Sequence, residues 1–271
     1  MMAHEFRIED QVYTRFTFER DGRVLSAIIT SDHPVNGVDG PMHDELARVF
    51  TDLQRDSDSD IIVLTAKGRA FCAGGDFAWF QQQIDDPGSF RAIAWDAKRI
   101  VTSLLEMEKP ILCRLNGAAA GLGATIALLC DIIVADEKAL IGDPHVKVGL
   151  VAGDGGALIW PQLIGYARAK ELLMTGDMLT ATEAKTMGLI NHAVPGDQLD
   201  TKLAEIIAKL QGNPKWAVRW TKTVTNIPLR ALAAQMMDAA IGWESVSNFL
   251  GDRREAVEAM AQKRAPKLTG E

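Results

Sequence analysis

The residues of this chain best equipped for chemistry lie in three short stretches: two bends rich in glycine and one pair of ionisable groups. The first bend is Ala70-Phe71-Cys72-Ala73-Gly74-Gly75-Asp76-Phe77, which follows the β-branched, apolar run Ile61-Ile62-Val63-Leu64-Thr65. The second is Asn116-Gly117-Ala118-Ala119-Ala120-Gly121-Leu122-Gly123, set between the apolar run Ile111-Leu112-Cys113 and Thr125-Ile126-Ala127-Leu128-Leu129, which reads as the start of a buried helix. The order is strand, glycine turn, helix. Glycine lets a backbone approach a ligand with no Cβ in the way, and amides at a helix start have no intrahelical partner. An oxyanion suits such a place, and two turns of this design could share one ligand. In the third stretch, Gly142-Asp143-Pro144-His145 is followed by Ala152-Gly153-Asp154-Gly155-Gly156. Histidine titrates near neutrality and is a capable general acid or base, and an aspartate on its second nitrogen would fix the tautomer and stabilise the imidazolium. His145 with Asp154 is therefore a candidate dyad; a packed His145 beside a solvated Asp154 is the other reading.

Taken in order, these two bends, followed by Cys130-Asp131-Ile132-Ile133-Val134-Ala135 and Gly142-Asp143-Pro144, resemble the enoyl-CoA hydratase/isomerase (crotonase) family. The resemblance runs nearly the whole chain, to Asp252-Arg253-Arg254-Glu255 and Lys263-Arg264. It implies an α/β fold, a spiral of ββα units over residues 1–198 carrying the active site, with a helical C-terminal region, 199–271, that packs trimers, which commonly pair into hexamers. It implies that the backbone N–H groups of Gly75 and Leu122 hold a thioester carbonyl as it turns into an enolate. The substrate would be an acyl-CoA, bringing coenzyme A as part of itself, with no tightly bound cofactor. Lys67 and Arg69, just before the first bend, would meet the CoA phosphates, with Ala73, Gly74 and Asp76 beside them. Trp79 and Phe80 would line the acyl pocket, unless they are simply core aromatics.

One departure redirects the chemistry. Hydratases of the family place a glutamate near the start of the helix after the second bend and another after the Gly-x-Pro turn, a pair that activates water across a double bond. Here those positions hold Thr125 and His145. Hydration by paired glutamates is therefore unavailable, and the expectation is a lyase or isomerase in which His145, assisted by Asp154, moves the protons. Thr125 and Glu244 are counted with the substrate pocket, Glu244 as a possible third ionisable group or else part of a solvated helix face. Two alternatives accompany this reading: a CoA-independent hydrolase of carbon-carbon bonds in cyclic β-diketones, as in one branch of the family, and a non-catalytic binding or scaffold homologue.

The elements that must position these groups follow from local patterns. Phe16 to Thr30 holds two β-type runs around Asp21-Gly22, a hairpin signal. Met42, Leu46, Val49, Phe50 and Leu53 have helical spacing, as do Ile93, Ala97, Ile100, Val101, Leu104 and Leu105 within a helix expected from Phe90 to Met107. The stretch 81–88, with Asp85, Asp86, Pro87 and Gly88, reads as a polar, mobile linker. Short strands are expected at Ile132 to Ala135 and Ala139 to Ile141, and helices at Ala157 to Ile164 and Ala167 to Met174. Thr180, with Glu183 three residues on, opens a further helix as a capping box, and Met187 to Ile190 closes it and begins the last strand. Helices alone follow, at Leu199 to Leu210, Trp216 to Val224, Pro228 to Leu250 and Arg253 to Gln262. The run Leu229, Leu232, Met236, Met237, Ile241 and Trp243 is too apolar for a free surface, whether buried by a partner or in the chain's own core.

Composition narrows the classes. A chain of 271 residues, 47% apolar and 24% charged, is an ordinary globular protein able to bury a sizeable core. A net charge of −7 argues against a nucleic-acid surface, which needs clustered Lys and Arg. Met1 to Asp10 has no apolar stretch to serve as a signal peptide, and no window approaches a membrane span. Cys72, Cys113 and Cys130 have no metal-binding spacing and read as reduced core residues of a cytoplasmic protein. His4, His33, His43, His145 and His192 are scattered, so no metal site is expected. The second bend lacks the dinucleotide fingerprint, and no Gly-x-Ser-x-Gly elbow marks a serine hydrolase.

Overall fold

Apolar and β-branched runs take up strands, and the glycine bends fold back between them. The computed structural model describes residues 6–271, so the N-terminal reading lies outside the described residues for Met1 to Glu5. The hairpin forms as expected from β1 (Phe16–Asp21) and β2 (Val24–Ile29), paired antiparallel. Onto β2 are added, all parallel, β3 (Ile61–Ala66), β5 (Ile111–Leu115), β7 (Ile132–Asp136) and β10 (His192–Val194), in that order. A second sheet of short strands runs β4 (Ala70–Cys72), β6 (Ala118–Ala120), β8 (Leu140–Gly142) and β9 (Met178–Thr180), the last one antiparallel. Each turn of the spiral gives one strand to each sheet and then a helix. Thus β3 and β4 lead into α2 (Phe77–Asp85) and α3 (Pro87–Glu106), β5 and β6 into α4 (Leu122–Leu128), and β7 and β8 into α5 (Gly156–Ile164). β3 reads as an unbroken apolar run because it is interior to its sheet and covered by helices.

The remaining helices are α1 (Gly40–Arg55), α6 (Tyr166–Thr175), α7 (Ala181–Met187), α8 (Leu199–Gln211), α9 (Lys215–Thr225), α10 (Ile227–Asn248) and α11 (Gly251–Ala261). One face of the six-stranded sheet packs Ile61, Val63, Leu112 and Val134 against Leu199, Leu203 and Ile206 of α8. The main core lies between the sheets, α1, α3, α4 and α10, with Phe50, Phe71, Leu104 and Met237 fully buried. Each such side chain contributes about 1.5–3 kcal/mol by leaving water. Cys72, Cys113 and Cys130 are all unpaired and buried. Among the described residues no helix is long and apolar enough to cross a membrane.

Four local expectations are corrected. The stretch 81–88 is not a mobile linker but the end of α2 and the start of α3. Asp76 caps α2 by accepting from the Ala78 and Trp79 amides, Asp86 caps α3 by accepting from Gly88, and Pro87 occupies the first turn, where its missing N–H costs nothing. The last strand begins at His192 rather than near Leu189, because Gly188 turns the chain left-handed at the end of α7. β9 was not expected at all, being three residues long and set by pairing with β8 rather than by its own pattern. Finally, the apolar run of α10 is divided: Met237 and Ile241 are core, whereas Trp243 is 66% exposed.

Candidate active site

The two glycine bends come together because strands β4 and β6 are paired. At Gly121 the backbone takes φ 54° and ψ −124°, a conformation open to glycine, and this turn starts α4. At Gly123 an added Cβ would lie 2.2 Å from the Cys72 carbonyl oxygen, so α4 begins directly upon the first bend. Leu122 is the first residue of α4, where an amide has no intrahelical acceptor. The first bend is held from outside: the Val38 amide donates to the Gly74 carbonyl at 2.8 Å and the Asp76 amide to the Val38 carbonyl at 2.9 Å. Between these two bonds the Gly75 amide makes none, and neither does that of Leu122, among the described residues. Gly75 and Leu122 line one cavity, together with Trp79, Phe80, His145, Asp154 and Glu244.

His145 opens a short 3-10 turn, His145–Val148, just beyond β8. Its Nδ1 is hydrogen-bonded to Asp143 and its Nε2 lies 3.4 Å from Asp154. Asp143 is 1% exposed and Asp154 6%, so the ring is held between two buried carboxylates. Burial works against the charged ring, but the Asp143 and Asp154 charges outweigh it and hold the imidazole well above the ordinary histidine value. Glu244 enters from α10 because Gly153, beside Asp154, packs onto that helix at Ala240 and Glu244. Burial, reinforced by the Asp154 charge, pushes the Glu244 carboxyl up to about 8.

Trp79, Phe80 and Glu244 line the cavity, and Glu244 is buried rather than part of a solvated helix face. Thr125 does not line the cavity. It is fully buried, with its methyl against Gly155, because the fourth residue of α4 points into the core. Ala73 and Gly74 line a second hollow that also reaches Gly75 and His145. Asp76 is engaged as the α2 cap, and its carboxylate lies 3.2 Å from His33 Nε2. Lys67 and Arg69 are exposed and line neither space.

Asp143 was quoted in the Gly-Asp-Pro turn without a role. Its signal would have been the two-residue spacing to His145 across a proline, which a tight turn brings to one side. Glu244 carried a plainer signal, since it continues the buried stripe Met237, Ile241 at helical spacing. The expectation of no clustered metal ligands is also corrected. One ligand atom each from Asp143, His145 and Asp154 lie within 4.8 Å of one another, as do atoms of His43, Asp44 and Asp96. In the first group the two carboxylates bracket the His145 ring.

A spiral of ββα units with two glycine bends facing one cavity defines a crotonase-type protein. The enoyl-CoA hydratase/isomerase family model matches residues 23–271, and the chain belongs to that family. It is similar to the 1,2-epoxyphenylacetyl-CoA isomerase of Escherichia coli (strain K12), 29% identical over 91% of this chain and 95% of that protein. An enoyl-CoA hydratase/isomerase from Mycobacterium paratuberculosis superposes with a TM-score of 0.86 at 34% identity, covering 90% of this chain and 98% of that one. A β-diketone hydrolase from the cyanobacterium Anabaena, solved with (S)-3-oxocyclohexyl acetic acid bound, superposes with a TM-score of 0.81 at 28% identity, covering 88% and 95%. The chain is accordingly an enzyme of this family, its fold an α/β crotonase spiral.

Proposed function

We propose that this enzyme acts on a short acyl-CoA thioester as an isomerase or lyase, through an enolate gripped by the Gly75 and Leu122 amides. The observation that carries the reading is that Gly75 and Leu122, whose amides are unpartnered, line the same cavity as the His145–Asp154 pair. Each such donor contributes roughly 3–4 kcal/mol to a transition state from which water is excluded. The proton inventory supports a division of roles. His145 rests as an imidazolium between two carboxylates, and Glu244 rests neutral below about pH 8. Asp154 is then the base that takes a proton from the carbon beside the thioester, and His145 the acid that returns one to the enolate system. This reverses the simpler expectation of His145 as base with Asp154 as its helper. Asp143 holds the ring by Nδ1 and keeps Nε2 turned to Asp154. Lys67 and Arg69, exposed before the first bend, are proposed to meet the CoA phosphates, and CoA enters only as part of the substrate.

The cavity measures about 60 Å3, room for roughly four to six waters at 10–15 Å3 each. That favours a short acyl group. We further propose that residues 199–271 pack a trimer or hexamer, supported by the exposed Trp216 and Trp220 of α9. The three buried, unpaired cysteines support a reducing compartment such as the cytoplasm.

A second reading, hydrolysis of a cyclic β-diketone without CoA, is favoured by one observation: the similar Anabaena structure is a β-diketone hydrolase. Thermal shift separates the two, since a ligand of the native state raises stability by mass action. Short acyl-CoA esters are expected to raise the midpoint, and the bound ester to exchange its α-protons in D2O. His145→Ala and the near-isosteric Asp154→Asn are each expected to slow that exchange by about 10²–10⁴-fold while keeping ligand affinity. Stabilisation by cyclohexane-1,3-dione alone would transfer the assignment to the hydrolase.

A further inference from the structure

The cavity holds two polar side chains that the proton chemistry does not use. His43, on α1, is 3% exposed, and its Nδ1 has no hydrogen-bond partner. Gln83, on α2, is 2% exposed; its backbone carbonyl accepts from Asn248 Nδ2 at 3.0 Å, while its carboxamide has no partner among the described residues. Both line the cavity that contains Gly75, Leu122 and Asp154. The His43 ring rests 5.5 Å from the Trp79 ring, which fixes its place in the wall. Buried polar groups without partners are costly and rare in native structures, and a hydrocarbon acyl group would leave His43 Nδ1 unsatisfied and offer the Gln83 carboxamide nothing to bond.

We infer that the acyl group this enzyme selects carries a second, uncharged oxygen, a ketone or a hydroxyl, which His43 and Gln83 hydrogen-bond inside the cavity. Both side chains can donate or accept, so either oxygen type is served. Burial keeps the His43 imidazole below the ordinary histidine value, which makes it a neutral hydrogen-bonding group rather than a counter-charge. A carboxylate is disfavoured because Asp154 shares the cavity and Asp44 and Asp96 stand beside His43. A cavity of about 60 Å3 fits a short group carrying that oxygen within a few carbons of the thioester. A site built to bond a polar group rejects the analogue lacking it far more strongly than an apolar pocket rejects an extra methyl.

The inference rests on the cavity being the acyl site, and the test keeps the two questions apart. Binding to the intact enzyme is measured by calorimetry for 4-oxopentanoyl-CoA and for 4-methylpentanoyl-CoA, which replaces the ketone by a branch of similar shape. The ketone is expected to bind about ten-fold tighter or more, and His43→Phe and Gln83→Leu each to bring the ratio toward one while improving the hydrocarbon. Equal affinities in the wild type, or a ratio unchanged in both variants, overturns the inference and leaves the acyl-CoA reading standing. If neither ester binds, the same comparison is made with cyclohexane-1,3-dione and 3-methylcyclohexanone. A preference for the dione that the two variants erase means that the acyl-CoA reading has failed and the second-oxygen site stands. No preference in that pair overturns the site.

Discussion

Four ionisable side chains, Asp143, His145, Asp154 and Glu244, stand together beside the two bends, and the shifted pair among them, His145 and Glu244, sets the response to pH. The Glu244 carboxyl is pushed from 4.5 up to about 8 by burial and the Asp154 charge, so between those values the folded protein holds a proton that the unfolded chain has released. Stability must therefore fall as pH rises through that window. His145, held well above 6.5 despite its burial, adds a loss of the same sign as pH climbs through its own raised value. Glu244→Gln keeps the shape and removes the titration. Its thermal midpoint is expected to match the wild type near pH 4.5 and to exceed it at pH 8, a gain on the order of a few kcal/mol. Parallel curves from pH 5 to 8 would mean that Glu244 is ionised in the native state. Of these four groups His145 and Asp154 were legible as a pair, because glycine-rich turns around two ionisable residues are unusual. Asp143 was not, since its role depends on a 3-10 turn that no periodicity announces. Thr125 misled for the opposite reason: its place in the family pattern suggested a pocket residue, and helix geometry turned it into the core.

Among the helices, ends proved as informative as faces. The α7 box forms as its sequence announces, with the Glu183 amide donating to Thr180 Oγ1 at 3.2 Å and the Thr180 amide to Glu183 Oε2 at 2.7 Å. Thr180→Ala is expected to cost about 1 kcal/mol and to lower the midpoint by about 2 °C. Because β9 ends at Thr180, a much larger loss would show that the hydroxyl holds the sheet as well as the helix. The long helices α1, α3, α8 and α10 were legible from 3.6-residue spacing. α2 was not, because Gln81-Gln82-Gln83 followed by Asp85-Asp86-Pro87-Gly88 reads as turn chemistry, and only Asp76 and Asp86 acting as caps convert it into consecutive helices. The three-residue strands β4, β6 and β9 lie below the length at which alternation can be seen at all.

At the scale of the molecule, the spiral buries its own core but leaves large apolar side chains outside. Trp216 and Trp220 are 49% and 57% exposed with their rings 5.5 Å apart, and Trp243 and Phe249 are exposed further along the helical region. Clustered exposed aromatics of this kind mark contact surfaces. Native mass spectrometry is expected to give three or six times 29.5 kDa, and the double variant Trp216→Asp with Trp220→Asp to reduce that assembly. A wild-type monomer at micromolar concentration would leave these rings without a purpose in assembly.

The segment before α1 carries none of the ionisable groups of the cavity, yet its Val38 lines that cavity and brackets Gly75 by clasping the residues on either side of it. The position of the Gly75 amide is therefore anchored to a piece of chain that lies outside both glycine bends. Displacing that segment would break both bonds and free the first bend from the support that holds it beside the second.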